Sequence, residues 1–341
     1  MTYLIVPIGG DSIDAIRADI VAAADAGADM VELRLDMIHD VTDEELDTLL
    51  SSRAADLPII LTFRSEREGG DSNATDLERL ERLDRLGPIA DFVDVELATW
   101  DRSEANRRLA ESAIRRAGFV SQSGGLEVIE QGRRRGMILS RHDLRERPSS
   151  LQSDLVSMLR VDSCRTPKLA WRARTVRDNF EAFELHRLSP RPMIALCMGD
   201  DGLMSRVLAP KFGAFGSFAA LRRGLESAPG QPTIGEMIDL YRWKSVNART
   251  AVYGVVGEPV GHSLSPHVHN AAFASKGVDA VYLPLRVGAG YESFKAFMVE
   301  VLARRWMGFR GFSITIPHKE NALRFLVESG GDISADAKRI G

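Results

Sequence analysis

Met137-Ile-Leu-Ser-Arg-His-Asp-Leu144, followed a short helix later by Thr166-Pro-Lys-Leu-Ala170, is the stretch on which the fold turns. Two successive apolar, strand-like runs carry a histidine and then a lysine at their downstream ends, and barrel enzymes hold their reactive groups at that end of their strands. A lysine that attacks a ketone to form an imine, beside a histidine able to move protons, makes a site for carbonyl chemistry.

Strand and helix signals alternate on either side. Tyr3–Ile8 is an expected strand, and Ile13, Ile16, Ile20 and Val21 mark one helical face behind the cap candidate Ser12, up to Gly27. Met30–Asp36 is the second strand, and a Thr42-x-x-Glu45 capping box opens the next helix ahead of Leu46, Leu49 and Leu50. Pro58–Phe63 and Asp91–Leu97 are the third and fourth strands, separated by a helix carrying Leu77, Leu80 and Leu83 that stops at Gly87. A single helix over 102–117, ending at Gly118, and a Gly-rich basic segment from Gly124 to Gly136 lead into the fifth strand at Met137–Ser140. Cys164–Ala170, Pro192–Met198 and a run near Phe215–Leu221 complete eight, with helices marked by Leu151, Leu155 and Leu159 and by Val176, Phe180 and Phe183 between them. This alternation predicts an α/β chain: a parallel (β/α)8 TIM barrel over residues 1–245 and a smaller α/β domain over 250–341.

The 341 residues have room for both. With 44% hydrophobic and 27% charged residues the composition is that of an ordinary globular protein. A net charge of −4 gives no global pull toward nucleic acid or an anionic membrane, so Arg133-Arg134-Arg135 reads as a solvated face. Cys164 and Cys197 lack CxxC spacing, which argues for a reducing compartment and against a disulfide framework or a metal site. The start, Met1-Thr-Tyr-Leu-Ile-Val-Pro7, enters a strand without a signal-peptide layout, and no apolar run approaches a membrane span. The expected location is cytoplasmic. His39 and His186 carry no motif and read as surface histidines.

Polar residues recur at the strand ends. Glu32-Leu-Arg-Leu-Asp36 ends strand two, Arg64 with Glu68-Gly-Gly70 follows strand three, and His142-Asp143 ends strand five. Lys168 lies on strand six, Met198-Gly199 leads to Ser205-Arg206, and Ser227-Ala-Pro-Gly-Gln231 follows the eighth. Charges alternating with buried positions are costly unless they converge on one polar cavity. There Arg34, Arg64 and Arg206 would form a fork-like set of donors for a carboxylate, although Glu32 and Arg34 also fit a structural ion pair.

These motifs, in this order, resemble the type I 3-dehydroquinate dehydratases, and the Pro229-Gly-Gln-Pro-Thr233 extension with Leu240-Tyr-Arg242 is most similar to the plant-type bifunctional enzymes. Arg141 stands where that family usually has tyrosine, and Arg165-Thr-Pro167 replaces a small or acidic lead-in. The resemblance implies a hydro-lyase of the shikimate pathway of aromatic amino acid biosynthesis. It makes Lys168 the Schiff-base lysine, His142 the general acid/base and Glu68 its orienting partner. Arg206 would clamp the substrate carboxylate, while Glu32, Arg34, Arg64, Met198, Ser227 and Gln231 line the pocket. Nearby arginines and burial are expected to favour the uncharged lysine that attacks. No cofactor is implied for this step.

Beyond Trp243–Arg249, Glu258-Pro-Val-Gly-His-Ser263-Leu-Ser265 and Gly311-Phe-Ser-Ile-Thr315-Ile-Pro-His-Lys319 resemble the N-terminal, substrate-binding domain of shikimate dehydrogenase. That resemblance puts Ser263, Ser265 and Thr315 on shikimate and Lys319 beside the reacting hydroxyl, with Ser313 where many relatives have asparagine. Gly288-Ala-Gly290 fails the dinucleotide fingerprint, because Ser293 holds the third glycine position and the segment is not expected to start a βαβ unit. The chain stops at Gly341, about where the family's Gly-Ala-x-Asn-Thr segment is expected, so NADP belongs only to a complete dehydrogenase domain. The expected partners are 3-dehydroquinate, 3-dehydroshikimate and shikimate, with no nucleic acid or membrane; an oligomer is compatible. Two other readings stay open: shikimate dehydrogenase activity in a longer fused protein, and a non-catalytic quinate- or shikimate-binding module, against which the intact His142 and Lys168 count.

Overall fold

The computed structural model describes residues 2–52, 55–87, 90–116 and 136–340. Gly118, Gly124 and Arg133-Arg134-Arg135 lie outside them. Eight parallel strands, β1 (Tyr3–Ile8), β2 (Met30–Arg34), β3 (Ile59–Thr62), β4 (Phe92–Glu96), β5 (Gly136–Asp143), β6 (Cys164–Arg172), β7 (Ile194–Met198) and β8 (Gly216–Phe218), pair in the order β7-β6-β5-β4-β3-β2-β1-β8. β7 and β8 meet where the Phe215 N–H donates to the Met193 carbonyl at 2.8 Å, bringing the sheet's two edges together as a TIM barrel.

Helices α1 (Ile13–Asp25), α2 (Asp43–Ser52), α3 (Asp76–Leu86), α4 (Leu97–Arg102), α5 (Glu104–Arg116), α6 (Leu151–Leu159), α7 (Asp178–Leu188) and α8 (Leu203–Val207) connect the strands. Their starts follow local chemistry. Ser12 accepts the Ala15 N–H, and reciprocal capping boxes form at Thr42/Glu45 and Thr75/Glu78. Ile16 and Ile20, Leu46, Leu49 and Leu50, and Leu80 and Leu83 are buried against the strands' outer face. Val21 and Leu77 are exposed, so the apolar stripes are narrower than the periodicity predicts.

Several boundaries differ from expectation for identifiable reasons. β2 stops at Arg34 because the Asp36 carboxylate accepts from the Arg34 side chain and from the Arg64 and Asp71 backbone N–H groups, which turns Leu35–Met37 into a 3-10 turn. The predicted helix over 102–117 is broken at Ser103, which is extended and whose hydroxyl accepts the Asn106 N–H. β5 runs three residues beyond Ser140, so His142 and Asp143 are strand residues. His39 is exposed. His186 is not a surface histidine: it is buried, and its ring bonds the Ala195 carbonyl at 3.1 Å.

A second parallel sheet, β9 (Ala251–Gly257), β10 (Ala280–Arg286) and β11 (Phe309–Ile314), has the order β10-β9-β11. It carries α9 (Ser265–Ser275), α10 (Tyr291–Ala303) and α11 (Lys319–Glu328), with α12 (Ala335–Ile340) after them. Gly288-Ala-Gly290 forms the β10–α10 turn, so it does open a βαβ unit; Ser293 at the third glycine position alone fails the fingerprint. α10 docks on α7: Phe297 lies 6.1 Å from Phe180, and Trp306 meets Phe212 edge-on at 5.5 Å. Arg187 sits 4.2 Å over Trp306. Among the described residues, no helix is long and apolar enough to cross a membrane.

Candidate active site

Side chains two apart on a strand share a face, so each inward-facing set runs up the barrel from apolar to polar. Ile5, Met30, Ile60, Phe92, Ile138 and Ile194 fill the lower barrel as a separate apolar cluster. Above them, toward the strands' C-terminal ends, the same faces carry Glu32 and Arg34, Asp94 and Glu96, Ser140 and His142, and, midway along β6 rather than at its end, Lys168. Adjacent β5 and β6 bring the last three groups together: Ser140 pairs with Lys168 and His142 with Ala170 in register.

One pocket is lined by all ten barrel residues named from the sequence. Glu32 and Arg34 come from β2, Arg64 and Glu68 from the segment after β3, His142 from β5 and Lys168 from β6. Met198 ends β7, Arg206 lies on α8, and Ser227 and Gln231 come from the segment after β8.

The Lys168 Nζ donates to Asp94 Oδ2 at 3.0 Å and to Glu32 Oε1 at 3.2 Å, and sits 4.5 Å from the centre of the Phe218 ring. Its nearest charged groups are thus carboxylates, not the arginines expected from the sequence. Burial opposes ionisation of Asp94, but Arg64 and Lys168, with the Ser140 hydroxyl, hold its carboxyl down at about 2. Asp94 joins two cations: Arg64 Nη2 lies 2.9 Å from its other oxygen. Neither Asp94 nor Glu96 was named from the sequence, although the alternation Phe92-Val-Asp94-Val-Glu96 carries the same signal as Glu32-Leu-Arg34.

The His142 ring and backbone are both held by Glu68. Oε2 lies 2.9 Å from Nδ1 and accepts the His142 backbone N–H, also at 2.9 Å. Burial pushes the Glu68 carboxyl up to about 8, against Arg64 and that backbone N–H. Burial, and then the cations Arg64, Lys168 and Arg34, hold His142 well below the ordinary histidine value. With Nδ1 taken up by Glu68, Nε2 is the ring nitrogen left for chemistry. Gly70 permits this placement, since a Cβ there would meet the Arg64 carbonyl oxygen at 2.2 Å.

The expected trio of arginines separates. Arg34 makes a two-pronged pair with Asp36 rather than with Glu32, and Arg64 is bound by Asp94 and the Ser140 hydroxyl. Arg206 is buried and, among the described residues, has no acid partner: Nη1 donates to the Phe218 carbonyl at 3.3 Å, while Nε and Nη2 are unpartnered. Burial pulls it down to about 10. Gln231 is aimed the same way, its Oε1 accepting from the Ser227 N–H and hydroxyl and its Nε2 unpartnered.

The second-domain set is arranged differently. Ser263 and Ser265 bracket the start of α9, the Ser263 hydroxyl accepting the Ser265 N–H at 3.2 Å. Thr315 follows β11, its N–H donating to the Val256 carbonyl, and the exposed Lys319 opens α11. All four lie at the C-terminal edge of the neighbouring strands β9 and β11.

A Bifunctional 3-dehydroquinate dehydratase/shikimate dehydrogenase of Arabidopsis thaliana is 35% identical over 93% of this chain and 48% of its own length. The shikimate biosynthesis protein AroDE of Chlamydia pneumoniae is 29% identical over 85% of this chain and 53% of its own. The chain thus spans about half the length of these relatives. The crystal structure of 3-dehydroquinate dehydratase from Geobacillus kaustophilus superposes with a TM-score of 0.57 at 23% identity, over 70% of this chain and 88% of that one, and so shares the fold. The family model for the shikimate dehydrogenase substrate binding domain matches residues 255–341, and that for type I 3-dehydroquinase matches residues 4–248. Over most of its length, therefore, this chain belongs to the type I 3-dehydroquinase family.

Proposed function

We propose that the barrel dehydrates 3-dehydroquinate to 3-dehydroshikimate through a Schiff base on Lys168, with His142 as general acid and base. The observation that carries this is a single pocket holding a buried amine, an imidazole kept neutral, and an arginine with no acid partner. The unpaired Arg206, with the free amide of Gln231, supplies donors for the substrate carboxylate. That fixes the ketone toward Lys168.

Loss of one proton frees the Nζ lone pair, which attacks C3; water leaves and an iminium forms. His142 Nε2 then takes the proton at C2, and the electron pair flows into the iminium as an enamine. The enamine expels the C1 hydroxyl, which His142 protonates, and hydrolysis of the iminium releases product and lysine. The iminium is the electron sink, so the step takes no cofactor.

For the domain proposed over 250–341, we infer that it binds shikimate or 3-dehydroshikimate through Ser263, Ser265, Thr315 and Lys319; the family match over 255–341 supports this. Hydride transfer would need NADP held by residues outside that match.

The test is intact-protein and peptide mass after incubation with 3-dehydroquinate and sodium borohydride. An adduct on Lys168 supports the imine. A folded protein with no adduct and untouched substrate sinks it, and the non-catalytic binding reading takes its place.

A further inference from the structure

Among the contacts between the two domains, one is tied to the barrel site through a buried carboxylate. Arg286 ends β10 of the second sheet, and its guanidinium grips Asp201 of the barrel with two hydrogen bonds, Nε to Oδ1 at 2.8 Å and Nη2 to Oδ2 at 2.5 Å. The Asp201 side chain is 4% exposed, so this is the contact of a buried carboxylate. Arg286 Nε also lies 3.8 Å from Glu258, which precedes the Ser263 segment. The two-pronged bond to Asp201, backed by Glu258, raises the Arg286 pKa.

Asp201 sits in the 3-10 turn Asp200–Gly202, between Met198 and the helix that bears Arg206. That turn is one knot of main-chain contacts. The Asp201 carbonyl accepts from Asn179 Nδ2 at 2.7 Å, and the other end of the same amide accepts the Ser205 N–H at 2.9 Å. Ser205 Oγ in turn donates to the Gly202 carbonyl and accepts the Cys197 N–H. The Gly199 N–H donates to the Pro229 carbonyl, tying in the Ser227–Gln231 loop. Gly230, at φ 68°, lies so close that a Cβ would meet the Gly199 oxygen at 2.3 Å. The groups offered to the substrate carboxylate, Arg206 and Gln231, therefore hang on a turn whose one buried carboxylate is neutralised from the other domain.

We propose that Arg286 is a positioning residue for the barrel's reaction: by holding Asp201, the second domain sets the turn that presents Arg206 and Gln231. This rests on the dehydratase reading. Removing the guanidinium leaves Asp201 buried and unpaired, and the turn must rotate its carboxylate toward the cleft to rehydrate it. The interaction lost is one made with the substrate carboxylate throughout the reaction, so the effect falls on KM more than on kcat.

The experiment compares the whole chain with Arg286→Met, Arg286→Lys and Arg177→Met. The last breaks a different interdomain pair, Arg177 with Glu300, neither of which lines the barrel pocket. The expected result is a KM for 3-dehydroquinate raised roughly 10-fold in Arg286→Met, with kcat within about threefold of wild type. Arg286→Lys, which keeps the charge without the fork, should fall between, and Arg177→Met should lower thermal stability with KM unchanged. An unaltered KM in Arg286→Met, or an equal rise in Arg177→Met, overturns the proposal. If Arg286→Met does not fold, an unaltered KM in Arg286→Lys overturns it instead. Borohydride trapping on the wild-type chain separates the two claims: without a Lys168 adduct and turnover the dehydratase reading itself has failed.

Discussion

One oxygen of Glu68, Oε2, accepts the backbone N–H of His142 and bonds its ring Nδ1, each at 2.9 Å. A carboxyl group bound twice to one residue fixes the ring's position. Glu68→Ala removes that contact, so the ring is free to turn and the base is no longer held in the pocket. We expect kcat to fall roughly 10- to 10³-fold while borohydride still traps substrate on Lys168. An unchanged kcat would remove Glu68 from the mechanism.

His142→Ala should cost ~10²–10⁴ in rate, the usual scale for a general acid-base. Lys168→Ala should cost at least as much, because the covalent route is gone, and it should abolish the borohydride adduct. Single-turnover dehydration, followed by the absorbance of the enone product, is a convenient assay, and near wild-type turnover by Lys168→Ala contradicts the imine.

Arg206 presents a trade between stability and binding. A buried guanidinium with two unpartnered nitrogens is destabilising without its anion, so Arg206→Met should raise the ligand-free unfolding free energy, by on the order of 1 kcal/mol. The same change should raise KM by about 10- to 100-fold, the worth of a charge-assisted hydrogen bond. Urea unfolding and steady-state kinetics on one preparation check both signs. A less stable variant would show that Arg206 is already compensated in the free protein.

The buried His186 gives a pH dependence that no motif announced. Burial lowers it to about 4, against an ordinary value of 6.5. The unfolded chain therefore takes up a proton that the folded chain refuses between those values. The stability His186 confers is fully present above pH 6.5, is lost as pH falls toward 4, and changes little below that; the window is worth on the order of 3 kcal/mol. His142 acts in the same direction. His186→Gln, whose amide can still donate to the Ala195 carbonyl, should flatten the decline between pH 6.5 and 4 relative to wild type. Parallel curves would show that the ring is not the source.

The barrel and the positions of its candidate reactive groups were legible along the chain because their causes are local. Strand burial writes an apolar run, an outer helix writes a narrow apolar stripe, and a polar group at every second position before a strand's end marks the mouth. Residues such as Glu32, Arg34 and His142 were readable in this way, whereas Glu68 was named through the family resemblance; all ten named barrel residues meet in one pocket. Only the tertiary structure decided which charge neutralises which. Arg34 pairs with Asp36, Lys168 lies against Asp94 and Glu32, Arg206 is left without an acid, and Asp201 is answered by Arg286 from the other domain. Those choices depend on the stagger between strands and on the docking of the second domain, which bring together residues as far apart as 136 positions, and apart from Arg34 with Asp36 no local spacing encodes them.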